Sequence, residues 1–178
     1  MTAISKTALL ALLSLSIILG GCSSPAERAA ITPQGIAIAK HHPYSIAVQA
    51  GGGSETGAMD TTNISDADLK AAIEDAIANS KLFKTVVQGN NGDYQLSVRV
   101  TSLTKPIFGT TFTVDMETAW SLTRMSDRSS VMRKSVKSTG TATMGEAFVA
   151  VTRLRLAVEA AARDNIAQGL QAMAGLDL

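Results

Sequence analysis

Two adjoining stretches alternate apolar and polar residues with a period of two, which commits them to a sheet with one buried and one wet face. In residues 93–104, Tyr94, Leu96, Val98 and Val100 fall on one side and Gln95, Ser97, Arg99 and Thr101 on the other. In residues 110–124, Phe112, Val114, Met116, Trp120 and Leu122 share a side against Thr111, Thr113, Asp115, Glu117 and Ser121. A five-residue loop, 105–109, sets Val100 opposite Val114, Val98 opposite Met116, Tyr94 opposite Trp120 and Arg99 opposite Asp115. A second hairpin around Asp127 pairs Leu122 with Met132 and Glu117 with Lys137. A one-residue slip would turn every apolar side chain to water, whereas a cross-strand ion pair adds only about 0.2 to 1 kcal/mol. The alternation therefore sets the register. The outer face, of threonine, serine and charge, is unlike the apolar exterior of a membrane barrel.

The buried face needs a cover. Val151, Leu154, Val158, Ala162, Ile166, Leu170 and Met173 recur at helical spacing over residues 146–173, with Arg155, Glu159 and Arg163 on the opposite, wet side. A second helix begins at Ser65, a capping residue followed by Asp66 and Asp68 in the first turn and by Leu69, Ile73, Ala76 and Ile77 along one face. Residues 45–48 and 82–88 read as strands, Gly89-Asn90-Asn91-Gly92 as a turn, and the polar stretch from Gly51 to Asn63 as a mobile loop. The expected fold is α+β: an antiparallel β-meander of about four to five strands with two helices packed on one face.

Ahead of this domain, Lys6 precedes an apolar run over residues 7–19 that ends in Leu19-Gly20-Gly21-Cys22. A membrane-spanning helix needs about 20 apolar residues, so the shorter run reads as a cleaved signal. The four-residue pattern, which holds the chain's single cysteine, resembles the lipobox of bacterial lipoproteins. That resemblance implies a diacylglyceryl thioether on Cys22, cleavage before it, and an acyl group such as palmitate on the new amino terminus. Ser23 in place of aspartate implies the outer membrane. One acyl chain holds only marginally, at about 0.8 kcal/mol per buried methylene, and two or three anchor stably. The expected organisation is a signal peptide over 1–21, a lipidated N terminus and flexible tether over 22–43, and one periplasmic domain over 44–178.

Without the leader the chain carries 15 basic and 15 acidic residues, a balance that does not suit a general nucleic-acid binder. No second cysteine is present to form a disulfide. His41 and His42 sit side by side at the end of the tether, where adjacent residues of an extended chain point apart and read as solvated linker histidines, not as metal ligands. No histidine then remains inside the domain for a nucleophile–base relay. Asp115 and Glu117 read as surface charges with basic cross-strand partners. Gly51-Gly52-Gly53 lacks the GK[ST] ending of a phosphate loop. No catalytic, metal or cofactor residue is expected, and no enzyme.

Two features suit contact with a partner. Arg133, Lys134 and Lys137, with Arg124 and Arg128 nearby, form the one local basic cluster, although lysines on an edge strand also serve to block aggregation. Ile107 and Phe108, following Pro106 at a hairpin tip, are candidate exposed apolar contacts unless they fold under a helix end.

The order of elements resembles the small envelope lipoproteins of the YajG type. It is also similar to the lipopolysaccharide-assembly lipoprotein of the outer-membrane translocon and to the N-terminal domain of the Tol system's periplasmic protein. The likeness is carried by residues 68–103 and 146–173. It implies a binding or assembly accessory without catalytic residues, held to the membrane by its lipid and facing a protein partner in the envelope. The alternative is a carrier of a lipid or small hydrophobic molecule between sheet and helices, which would need a cavity of about 300 Å³ or more there.

Overall fold

The computed structural model describes residues 24–58 and 60–178; the signal peptide and Cys22 lie outside the described residues. The elements are α1 (Arg28–Ile31), β1 (His42–Gly51), α2 (Asp66–Ser80), β2 (Phe83–Val87), β3 (Tyr94–Thr104), β4 (Thr111–Arg124), β5 (Ser130–Thr143) and α3 (Ala150–Ala174). They form the expected α+β sandwich, a five-stranded sheet in the order β2-β1-β3-β4-β5 with the helices packed against it.

The sheet is mixed, because β1 runs parallel to both of its neighbours. The expected antiparallel meander holds only for β3, β4 and β5. β2 flanks the first half of β1 and β3 the second half, since Ala47 pairs with Val87 on one side and Ile46 with Tyr94 on the other. The segment between β2 and β3 therefore crosses over β1 and does not turn back on itself. Gly92 makes that crossing: a Cβ there would lie 2.8 Å from the amide nitrogen of Ala47, closer than side chains tolerate.

Ser65 caps α2 as expected, its hydroxyl accepting from the Asp68 amide at 3.0 Å, and Leu69, Ile73, Ala76 and Ile77 are buried beneath the helix. The β4–β5 register also agrees, with Leu122 opposite Met132 and Glu117 opposite Lys137. The β3–β4 register does not. Val98 faces Trp120 and Tyr94 faces Arg124, a shift of four residues from the expected pairing, followed by a bulge between Val100 and Ser102. An even shift keeps every side chain on its face, so alternation cannot detect it. The cause lies at the loop: the Lys105 ammonium turns away to donate to the carbonyl of Thr62 at 2.9 Å and to Asn63 Oδ1 at 2.7 Å. The start of β4 is left paired with β5 alone. Arg99 therefore faces Ala119, and Asp115 accepts from the Thr139 hydroxyl at 2.7 Å.

The chain before and after β1 is also more ordered than its sequence suggests. The expected flexible tether is docked from Ala26 onward: Ala26 and Ile31 are buried in the cleft over α2 and α3. The Arg28 guanidinium grips Asp75 of α2 with two hydrogen bonds, at 2.7 and 2.5 Å. On α3, Arg155 donates to the Glu27 carboxylate and Arg163 to the Ala30 carbonyl, both at 2.7 Å. The side of α3 expected to be wet is thus partly covered: Arg163 stays exposed, whereas Glu159 is buried with its carboxylate accepting from the Glu27 amide at 3.1 Å. His42 is not a solvated linker residue but the first residue of β1, 3% exposed, tilted against Phe83 and hydrogen-bonded to the carbonyl of Met173 at 3.0 Å. The loop after β1 is tied down as well, since Gly53 donates to Asp66 Oδ1 at 2.7 Å and Ser54 to the Ile64 carbonyl at 3.0 Å.

α3 lies close upon the sheet. Asn165 is buried at the seam, its Oδ1 accepting from Thr118 at 2.5 Å and its Nδ2 donating to the Val136 carbonyl and Ser138, each at 3.1 Å. The Trp120 indole N–H completes the network by donating to the Thr118 hydroxyl at 2.8 Å, so every buried polar group in it has a partner. Beside it Gly169 faces the indole, where a Cβ would stand 2.3 Å from Trp120 Cζ2. For Gly169→Ala two effects oppose: the exposed-helix preference for alanine is about 1 kcal/mol, and overpacking costs about 1 to 3 kcal/mol. With a fully buried ring as the obstacle, overpacking wins. The variant should unfold at lower urea than wild type, and a higher midpoint would contradict this packing.

The buried carboxylate has a pH consequence. Burial raises the Glu159 pKa above the ordinary range, opposed by the Glu27 amide and by the charges of Arg155 and Arg163. A raised folded-state pKa contributes stability that is full below the unfolded value and lost as pH rises through the folded one. Glu159→Gln keeps an acceptor for the amide and removes the charge. Its stability relative to wild type should therefore rise across that window in urea titrations; a difference independent of pH would contradict it.

Candidate functional site

Among the described residues, the exposed large apolar side chains gather at one end of the domain. Ile107 and Phe108 in the β3–β4 loop are 94% and 86% exposed, and Phe148 and Val149 in the β5–α3 loop are 82% and 61% exposed. Met144 and Val151 add to the same region. One buried arginine joins the two loops. Arg153 Nη1 donates to the carbonyls of Ala147 and Phe148 at 2.8 and 3.1 Å, while its Nη2 donates to the carbonyl of Gly109 at 3.1 Å. Its guanidinium also lies over the Phe112 ring, 4.6 Å from the centroid. Arg153 stands in the first turn of α3 and belongs to no motif of the sequence; what marks its role is the backbone carbonyls of the two loops that meet around it.

The loops are held out from the body, not folded under the helix end. Between them and α3 runs a groove of about 390 Å³ lined by Thr61, Lys105, Ile107, Phe112, Val151 and Leu154. The apolar end is also where the described chain begins. The Ser24 carbonyl accepts from the Thr62 hydroxyl at 2.8 Å, and the Ala26 amide donates to the Asn63 carbonyl at 3.3 Å. These are the same two residues that hold the Lys105 ammonium. Partial burial lowers the Lys105 pKa, with the charge of Asp60 acting the other way.

The basic residues singled out in the sequence are spread over other surfaces. Arg124 and Arg128 belong to the β4–β5 turn, at the far end of the sheet from Ile107 and Phe108. At about 3.3 Å per residue, β4 separates the two ends by roughly 40 Å. Arg124 lies beside Tyr94, donating to its hydroxyl at 3.3 Å, and pairs with Asp127 at 3.6 Å. Arg128 is exposed in the turn with φ 58°. Along β5, an edge strand, Arg133 and Lys137 point to the outer face and Lys134 to the helix side, because neighbours in a strand alternate. Lys137 sits 3.7 Å from Glu117 across the strands. The apolar and basic residues therefore do not form one surface.

Among the described residues, no helix is long and apolar enough to cross a membrane, and no three His, Cys, Asp or Glu side chains are grouped to hold a metal ion. His42, which the sequence placed outside the domain, is engaged by Phe83 and Met173.

No family model and no curated protein matches the sequence. Solved structures share the fold. Protein XCC0632 from Xanthomonas campestris, of the DUF330 family, is similar with a TM-score of 0.56 at 11% identity, over 85% of this chain and 90% of that one. PelC from Paraburkholderia phytofirmans, solved as a dodecamer, is similar at 0.52 and 16% identity, over 80% and 96% of the two chains. A protein from Caulobacter crescentus CB15, provisionally named a lipoprotein, is similar at 0.50 and 15% identity, over 83% and 91%. At such identities the likeness is one of fold, shared with one bacterial protein provisionally named a lipoprotein.

Proposed function

We propose that this chain is a lipid-anchored lipoprotein of the bacterial cell envelope, acylated at Cys22 and held at the periplasmic face of the outer membrane. The observation that carries the reading is the run of residues 7–19 ending in Leu19-Gly20-Gly21-Cys22. The fold shared with a protein provisionally named a lipoprotein supports it. Its role is that of a non-enzymatic binding or assembly accessory, of the sort the resemblance to the YajG-type lipoproteins implies. Asp115 and Glu117 fit such a role, since Thr139 and Ser135 donate to their carboxylates at 2.7 Å in the manner of a surface ladder.

Deep at the seam the carrier alternative finds little room, and the groove of about 390 Å³ lies at the open apolar end, between the β3–β4 loop and α3. A Cβ on Gly140 of β5 would lie 2.1 Å from the Ala157 carbonyl of α3, and Trp120 fills the gap beside Gly169. An accessory that works through its surface is the better reading.

Metabolic labelling with palmitate tests the anchor. Wild type should take up label and fractionate with the outer membrane, and Cys22→Ala should lose both. Equal labelling of the two proteins, or wild type without label, would overturn the proposal.

A further inference from the structure

We infer that the apolar end of the domain lies in the membrane surface itself, so that Ile107, Phe108, Phe148 and Val149 enter the phospholipid leaflet that holds the anchor. The inference rests on the proposed acylation of Cys22 and goes beyond it, because acylation alone would allow the domain to hang at any angle. Only Ser23 separates Cys22 from Ser24. At 3.8 Å between successive Cα atoms, Ser24 lies within about 8 Å of the acylated residue. Ser24 is fixed in turn, since its carbonyl accepts from Thr62 and the next residue but one is bonded to Asn63. The ammonium of Lys105 binds those two residues, and Pro106-Ile107-Phe108 follows directly. The polar interface of a bilayer is about 5 to 8 Å deep on each side. An acyl chain leaving Cys22 therefore brings these side chains to the same depth.

The chemistry of this end suits lipid. Its exposed side chains are aromatic and aliphatic, and they stand on two loops that Arg153 fastens together from within. The acidic groups nearby are exposed but are held by donors of their own loops: the Glu146 carboxylate accepts from the Thr143 amide and hydroxyl at 2.8 and 2.9 Å, and Asp60 from the Gly57 amide at 3.1 Å. No loop has to move to present the apolar surface. A patch of this kind left in water is a liability, and pressed into an interface it adds to the hold of the acyl chains. The consequence is a fixed orientation, with the β4–β5 turn and its arginines pointing away from the membrane.

The test uses the full, acylated protein in vesicles of phosphatidylethanolamine and phosphatidylglycerol that carry a spin-labelled quencher lipid. An environment-sensitive fluorophore is attached at Phe108→Cys, Phe148→Cys or Arg128→Cys, and the mass of each purified protein shows whether Cys22 is acylated. The expected result is a blue-shifted probe at positions 108 and 148, quenched several-fold more than at 128. Adding Ile107→Asp and Phe108→Asp should remove most of the quenching at 148. Acylated protein whose probes at 108 and 128 are equally water-like overturns the membrane-embedded end and leaves the anchor standing. Unacylated Cys22 overturns the lipoprotein reading and this inference with it. A photocrosslinker at Phe108 that captures protein in cells and never lipid would assign the surface to a protein partner instead, and would also overturn the inference.

Discussion

The carboxylate of Glu159 receives the amide of Glu27, and the docking of residues 26–32 on the helices centres on that contact. A partly desolvated carboxylate is expensive to keep charged, and here it is offset by a backbone donor and by the guanidinium of Arg155, 3.8 Å away. Arg155 in turn holds the Glu27 side chain, Arg163 the Ala30 carbonyl, and Asp75 on α2 the Arg28 guanidinium. The exposed ion pairs would each be weak alone. Together with the burial of Ala26 and Ile31 they fasten residues 24–32 into the cleft between two helices. The domain consequently has a defined point at which its N terminus arrives.

That point separates the molecule into two ends. One holds Ser24, the Thr62–Lys105 contacts and the apolar loops bound together by Arg153. The other holds the β4–β5 turn with Arg124 and Arg128, roughly 40 Å away along β4 by the rise of a strand. The basic cluster and the apolar tip that the sequence offered as partner contacts thus lie apart: Ile107 and Phe108 stand at the apolar end beside the proposed anchor, Arg124 and Arg128 at the far end, and Arg133, Lys134 and Lys137 along β5. Under the proposed anchoring, one end would face lipid and the other the rest of the envelope.

How far the sequence revealed this depends on the range of the interaction concerned. Local signals were legible: the Ser65 cap, the buried face of α2, and the parity of β3 and β4 all follow from nearest neighbours and periodicity. The β4–β5 register was legible because a short turn ties it. The β3–β4 register was not, since a slip of four residues preserves parity and the deciding bonds run from Lys105 to Thr62 and Asn63, distant in sequence. β1 could not be placed between β2 and β3 from alternation, for the only trace of the crossing is Gly92, which reads locally as part of a turn. The stripe of Arg155, Glu159 and Arg163 reads as a solvated face to any argument that treats α3 alone, and becomes a docking rail once residues 24–32 lie on it. Of the apolar end, Ile107 and Phe108 were legible as an exposed tip; Phe148 and Val149 were not singled out, although the β4–β5 pairing of Thr111 with Thr143 sets their loop beside the tip, where Arg153 ties it.

Amide hydrogen exchange over residues 26–32 of the full-length protein examines whether the start of the chain is fastened or free. The account requires the amides of Glu27, Ile31 and Thr32, which donate to Glu159, to the Glu27 carbonyl and to the Arg28 carbonyl, to exchange far more slowly than an unstructured peptide, and to lose that protection when Glu159 and Arg155 are both replaced by alanine. Exchange of these amides at unstructured rates in the wild-type protein would mean that the N terminus is a loose tether after all, and the fixed relation between anchor and apolar end would fall with it.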